Sequence, residues 1–441
     1  MIRKVLIITY YFPPRPGFTS LRLKGLAKYL PEFGWEPVIL TAALPGVPDQ
    51  RFKVIETNYP GDITAILKKR LGLYPDKRFQ EQIGILSKAT GRKRFFTNKL
   101  VTIVRELFIY PDDQKKWYPF AIRTGMKIMM KENFDAIISS SAPVITHIVA
   151  KYLKEIYNIP WLADFRDLWT QNYNYQYGFL RKWFEKKLEV NTILQANALV
   201  TVSKPLASKL RILHSRKPIF TIMNGFDLDE INEAPINNKK FTITYTGNLY
   251  YGKQDPELLL KAIRELTDES IVKLNDVRIN FYGPTQYWLS QKIKKYDLDK
   301  IVKQHGTVPR EIALKSQRES QILLILGWND PKERGTYSGK IFEYLAAKRP
   351  VLAIGEYKGV LNKLLEETNA GYCFSNIKPL KYFITRCYKE YKMKGEVQYY
   401  GKISQIKKYS HYEMAKNFAN VLDGIVINRK FNNKKIIHRS L

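Results

Sequence analysis

Val5-Leu6-Ile7-Ile8-Thr9 runs into Tyr10-Tyr11-Phe12-Pro13-Pro14-Arg15-Pro16-Gly17 and then into residues 21–30, whose apolar positions recur at helical spacing. An unbroken apolar run suits a strand buried on both faces, the Pro/Gly segment cannot extend it, and the 3.6-residue period marks an amphipathic helix. A second strand-like run at 36–41 follows closely, so the opening is a β-α-β unit, which requires parallel pairing. Strand signals return at 136–139, 161–164 and 198–202, with a helix predicted over 146–156. A second series at 241–245, 278–282, 322–326 and 350–354 repeats the plan, each strand followed by a helix-like segment. Two α/β domains result, as the length of 441 residues also implies.

The junction is predicted near Ala234, where residues 224–240 collect Asn-Gly, Pro235 and Asn237-Asn238. This gives a first domain over 1–234 with a basic, mostly helical insertion at about 60–130, and a second over 235–408. A helix over 409–426 and a loose basic tail over 427–441 complete the chain.

Lys and Arg number 73 against 41 Asp and Glu, a net charge of +32 that calls for a polyanionic partner. Nucleic acid is disfavoured because the chain has no paired Cys/His finger, Gly-x-x-Gly clamp or aromatic sheet signature. Basic residues concentrate in Lys68-Lys69-Arg70, Lys77-Arg78 and Arg92-Lys93-Arg94, with Phe95, Phe96 and Leu100 close behind. That mixture suits an anionic membrane surface, and it suits a solvated helix face equally well. Apolar runs are too short to span a bilayer, and no secretory signal is evident, so the expectation is a cytoplasmic protein peripheral to the inner face of the cell membrane. Cys373 and Cys387 stand at no metal-ligand spacing and read as buried small hydrophobes.

Thr336 to Pro350 is a small-residue loop turning into a helix that runs into an apolar strand. Free N–H groups at a helix start favour an anion. Ser338 is a candidate cap, Gly339 permits close backbone approach, Lys340 adds a cation, and Glu343 could accept from a vicinal diol such as ribose. An ordinary capped helix would carry the same letters. Asp164-Phe165-Arg166-Asp167-Leu168-Trp169 follows a predicted strand, which puts its polar groups where open α/β sheets bind ligands. Arg166 could pair with Asp164 or Asp167, or offer its fork to a phosphate. His147, after Ser140-Ser141-Ala142-Pro143, is a second candidate, although a lone helix histidine is more often packed than catalytic.

Taken together, Tyr-Tyr-Phe-Pro-Pro, Asp-Phe-Arg-Asp-Leu-Trp and Gly339-Lys340-Ile341-Phe342-Glu343-Tyr344-Leu345-Ala346 resemble a branch of glycosyltransferase family 4, over nearly the whole chain. The resemblance implies the GT-B fold, two Rossmann-like domains with parallel sheets facing across a cleft. Glu343 matches the second glutamate of the family's Glu-x7-Glu pair, which binds nucleotide ribose; Gly335 stands where the first would be, and Glu333 is out of register. Thr246-Gly247-Asn248-Leu249-Tyr250-Tyr251-Gly252-Lys253 is similar to the diphosphate segment, with Lys253 as the phosphate-binding lysine and Asn248 in place of the common arginine. Gly17 matches the glycine loop over the sugar and phosphates. Arg166 takes the position of a sugar-contacting histidine, and Asn224-Gly225-Phe226-Asp227 resembles a segment at the domain junction.

The implied activity is retaining transfer of a sugar from a nucleotide-diphosphate donor, with no metal and no cofactor, to a lipid-linked glycan in cell-surface polysaccharide assembly. Catalytic candidates are Lys253, Arg166, Asp167 and His147; donor-binding candidates are Gly17, Gly247, Asn248, Lys253, Ser338, Gly339, Lys340 and Glu343. A sugar-nucleotide epimerase and a non-catalytic nucleotide-sugar-binding protein are the alternatives.

Overall fold

A computed structural model describes the chain except for residues 1, 16, 60, 62–109, 174, 176, 233–238, 329–334, 356–358 and 438–441. The three basic clusters of the expected insertion lie outside the described residues; its end, Tyr118–Lys131, is a helix that buries Ala121, Gly125 and Ile128. The chain divides into two compact units, Met1–Ile222 with Ala415–Leu441, and Met223–Met414. The division thus falls at 222/223 rather than near Ala234, because residues from Met223 onward join the second core, where Phe226 is fully packed.

The first unit is built on a parallel sheet in the order β3-β2-β1-β4-β5-β6-β7. Its strands are β1 (Arg3–Ile8), β2 (Trp35–Ala42), β3 (Lys53–Thr57), β4 (Ala136–Ser141), β5 (Trp161–Phe165), β6 (Ala198–Thr201) and β7 (Ile219–Thr221). Val5 through Ile8 are wholly buried, which is why β1 reads as a continuous apolar run rather than an alternating one. Helices Phe18–Tyr29, Ile145–Tyr157, Phe179–Ile193 and Lys204–Leu213 make the crossovers. Ser203 caps the last of these, its side chain accepting from the Leu206 amide.

The second unit has the order β10-β9-β8-β11-β12-β13. The strands are β8 (Phe241–Thr246), β9 (Val277–Tyr282), β10 (Val302–Gln304), β11 (Ile322–Leu326), β12 (Val351–Ile354) and β13 (Gly371–Phe374), all parallel. Cys373 and Cys387 are buried within it as free thiols.

Asn224-Gly225-Phe226-Asp227 lies against the segment before the final helix: the Phe226 amide donates to the Tyr409 carbonyl (3.2 Å), and the His411 amide donates to the Phe226 carbonyl (2.8 Å). A Cβ on Gly225 would sit 2.7 Å from the Ser410 carbonyl carbon, so this approach requires glycine. The final helix, His411–Ile437, is longer than expected and occupies most of the stretch read as a loose tail. Nothing from Ile425 to Ile437 is a Pro or Gly, so no residue there breaks the helix.

Candidate functional site

In an open parallel sheet, ligands gather where strand order reverses, outside the C-terminal ends of the two strands that flank that point. In the second unit the reversal lies between β8 and β11. Thr246 ends β8, and Gly247 through Lys253 form the loop that leaves it. Gly247 has φ +109, and its amide donates to the Tyr282 carbonyl at 2.7 Å. A Cβ on Gly283 would lie 2.3 Å from the Gly247 oxygen, so two glycines let these loops touch backbone to backbone.

Beyond β11 comes the helix Lys340–Ala346. Its lysine turns inward: Nζ donates to Tyr245 Oη at 2.6 Å and lies 4.0 Å from that ring's centroid. A Cβ on Gly247 would stand 3.3 Å from the same nitrogen, so the glycine leaves the ammonium next to the loop backbone. Burial brings the Lys340 pKa down to about 7, against a smaller opposing pull from Glu343. The Tyr245 hydroxyl hands its own proton to the Asn248 carbonyl at 2.7 Å. Lys253 Nζ lies 4.2 Å from the ring centroid of Trp328, just past β11, and the lysine is exposed. The Asn248 side chain is also exposed.

Ser338 does not cap the helix. The N-cap is Gly339, already in the right-handed region at φ −56 and ψ −31, and no side chain bonds there; a capping side chain needs an extended backbone. Glu343 is not solvated. Its Oε1 accepts from Arg310 Nε at 3.1 Å and its Oε2 from Gln317 Nε2 at 3.3 Å, while Arg310 Nη2 also reaches Glu230 at 2.8 Å. Gln317 continues to Thr246 Oγ1 at 3.0 Å, and the Thr246 amide donates to Tyr344 Oη at 3.0 Å. The carboxylate is therefore held in place at the end of β8. Gly335 occupies a buried turn and supplies no side chain there; Glu333 lies outside the described residues.

In the first unit the reversal lies between β1 and β4. Gly17 precedes the helix that follows β1 and has φ +123, a conformation open to glycine, although nothing crowds the position. Arg166, just past β5, donates through Nη1 to Thr19 Oγ1 and through Nη2 to Asp167 Oδ2 at 2.7 Å; its buried Nε has no partner among the described residues. Asp164 is not available to it. That carboxylate is buried and gripped by Arg22, at 3.2 Å from Nε and 3.0 Å from Nη2, with Ser140 Oγ donating at 2.8 Å. His147 is packed inside, 4.6 Å from the Phe165 ring, and burial lowers its pKa to about 3. Ser139 Oγ accepts from Trp161 Nε1 at 2.7 Å and shares a further hydrogen bond of 2.7 Å with His147 Nδ1, while the buried His147 Nε2 has no partner among the described residues. His147 thus meets neither solvent nor Arg166.

Sequence reading missed Arg22, Tyr245, Arg310 and Gln317. Arg310 had a signal: a cation opening a helix, Arg310–Arg318, opposes the helix dipole and implies a specific anionic neighbour.

Residues 21–230 match the family model described as Glycosyltransferase Family 4. No curated protein matches the chain by sequence. Among solved structures, HepE from Anabaena in complex with UDP is similar at TM-score 0.60 and 13% identity, over 96% of this chain and 100% of that one. Sucrose-phosphate synthase from Thermosynechococcus elongatus is similar at TM-score 0.58 and 12% identity, over 99% and 100%. WaaG, a glycosyltransferase involved in lipopolysaccharide biosynthesis, follows at TM-score 0.53 and 10% identity, over 95% and 100%. At such identities these likenesses speak for the fold.

Proposed function

We propose that this chain, whose residues 21–230 match the model of Glycosyltransferase Family 4 and whose fold is that of GT-B glycosyltransferases, moves a sugar from a nucleoside-diphosphate donor to a hydroxyl of a lipid-linked glycan, with retention. The donor diphosphate sits at the end of β8, on the Gly247 loop, between Lys253 and Lys340. The observation that carries this reading is Lys340: a buried ammonium beside a glycine backbone, with no carboxylate bonded to it among the described residues, is what an incoming anion would pair with. Lys340 then supplies the second cation that Asn248 does not. Glu343, oriented by Gln317, takes the ribose diol once Arg310 yields it.

In the reaction the bond from the anomeric carbon to the diphosphate oxygen breaks, the acceptor oxygen bonds to that carbon on the same face, and the acceptor proton passes to a diphosphate oxygen. Negative charge grows on the leaving group, and fixed cations and amides stabilise it without a metal. Arg166 and Asp167, tied to Thr19 near the Gly17 loop, make the acceptor-side candidates, and His147 positions β4 against β5. The acceptor's lipid places the work at an anionic membrane face, in assembly of a cell-surface polysaccharide.

UDP, which HepE binds in its solved complex, is the first donor nucleotide to try. Calorimetric titration of the wild type and of Lys253→Ala, Lys340→Gln and Glu343→Ala should give a loss of about tenfold or more in each variant. Equal affinity in all four proteins defeats the assignment.

A further inference from the structure

The helix Phe179–Ile193 is amphipathic the wrong way round. Its buried stripe includes Arg181, Glu185 and Glu189. Arg181 donates to Glu185 at 2.6 Å, Trp169 donates to Glu185 at 3.2 Å, and Glu189 accepts from the Thr170 amide at 3.0 Å and faces His214 at 3.2 Å. Its outward face holds the large apolar groups: Phe179 is 81% exposed, Leu180 72%, Trp183 45% and Phe184 55%. Water is a poor medium for that face, while the Arg181–Glu185 ion pair and the hydrogen bonds of Glu189 hold the charged stripe inward. Lys182, Lys186 and Lys187 are exposed alongside, and the helix has no acid other than the two turned inward. Lys187 Nζ lies 3.5 Å over the Trp183 ring, as a lysine does when its stem follows an apolar body and its head remains polar.

We infer that this helix is the membrane-docking face of the protein, lying flat on an anionic bilayer with Phe179, Leu180, Trp183 and Phe184 in the headgroup boundary and the three lysines on lipid phosphates. Charge complementarity chooses this occupant: aromatic groups with lysines and no outward carboxylate match an anionic interface, whereas a protein partner would have to bring an acidic rim around an apolar socket. The inference rests on the reading of the acceptor as lipid-borne, and it gives that reading a place on the first unit. It differs from the basic clusters of residues 68–94, which lie outside the described residues.

The test is co-sedimentation of the full chain with vesicles of phosphatidylcholine alone, or mixed one to one with phosphatidylglycerol. Two variants are compared with wild type, Phe179→Ser/Leu180→Ser/Trp183→Ser/Phe184→Ser and Lys182→Gln/Lys186→Gln/Lys187→Gln, both checked for unchanged circular dichroism and thermal midpoint. Wild type should bind the anionic vesicles in preference; the lysine variant should bind them about tenfold to a hundredfold more weakly, and the apolar variant should stop binding. Wild-type binding in both variants overturns the inference. So does a wild-type dimer, seen by analytical ultracentrifugation, that the apolar variant dissolves while its vesicle binding persists, since the face would then join two copies. Vesicle binding needs no donor, so loss of the proposed chemistry leaves this readout intact, and UDP affinity in both variants should equal wild type.

Discussion

Lys340 shows how one residue can oppose stability and support function. Its pKa falls from 10.5 to about 7 on folding because burial strips water from the ammonium. Between those values the unfolded chain binds the extra proton, so this residue makes stability rise with pH from about 7 to 10.5. Replacing it with Met should stabilise the fold at pH 7 by about 1–3 kcal/mol, read as a raised midpoint of thermal unfolding, while weakening UDP. The free ammonium is lost as pH rises through about 7. UDP affinity of wild type should therefore decline from pH 6.5 to 8.5 relative to Lys340→Gln, whose own profile subtracts the ionisation of the nucleotide; parallel profiles exclude the lysine from the site. Arg22 and Asp164 make the opposite case, a buried pair with both partners spoken for. Asp164→Asn leaves a buried guanidinium short of its counter-charge and should cost about 3–5 kcal/mol in urea unfolding. The sequence made Lys253 and Glu343 visible because their neighbours form motifs. Tyr245 and Arg22 were invisible because their partners, Lys340 and Asp164, are 95 and 142 residues away.

At the scale of elements, the strands β3, β7, β10 and β13 escaped sequence reading, and all of them are sheet edges. The central strands β1, β4, β5, β6, β8, β11 and β12 are largely or wholly buried, and their apolar runs announce them. An edge strand meets water along one side, is often short, and has no need of such a run. The three residues of β7, with two exposed, carry almost no pattern to detect. The loops of the candidate site were legible for another reason, because a glycine turn follows an apolar strand in segments that resemble family 4 motifs, as Gly247 does after β8. Gly283 lies against that turn. Gly283→Ala would drive a methyl to 2.3 Å from the Gly247 oxygen at a residue with φ +147, so the loop after β8 must shift; UDP affinity should fall about tenfold or more, with a loss of stability of about 1–3 kcal/mol. A variant that binds as wild type would dissociate this contact from the donor site.

At the scale of the whole molecule, the first unit is discontinuous: Met1–Ile222 is joined by residues from Ala415 onward. Trp35 Nε1 donates to Asp423 at 2.8 Å, Arg3 reaches the same carboxylate at 2.9 Å, and Arg22 lies 5.2 Å from the Phe418 ring centroid. Phe418 and Leu422 are fully buried. A fragment ending at Ile222 should therefore expose this seam and aggregate, whereas the same fragment joined by a flexible linker to residues 415–437 should give a cooperative melt. If the shorter piece melts identically, the last helix is an accessory.

That arrangement has a consequence during synthesis. The ribosome finishes residue 222 long before it makes residue 415, and at about 5–20 residues per second the wait is roughly 10–40 seconds. Throughout that interval the nascent amino-terminal half shows the surface meant for Phe418 and Leu422 to whatever chaperones attend the exit tunnel. A message cut short anywhere upstream of that helix would yield a chain damaged at its beginning as well as its end.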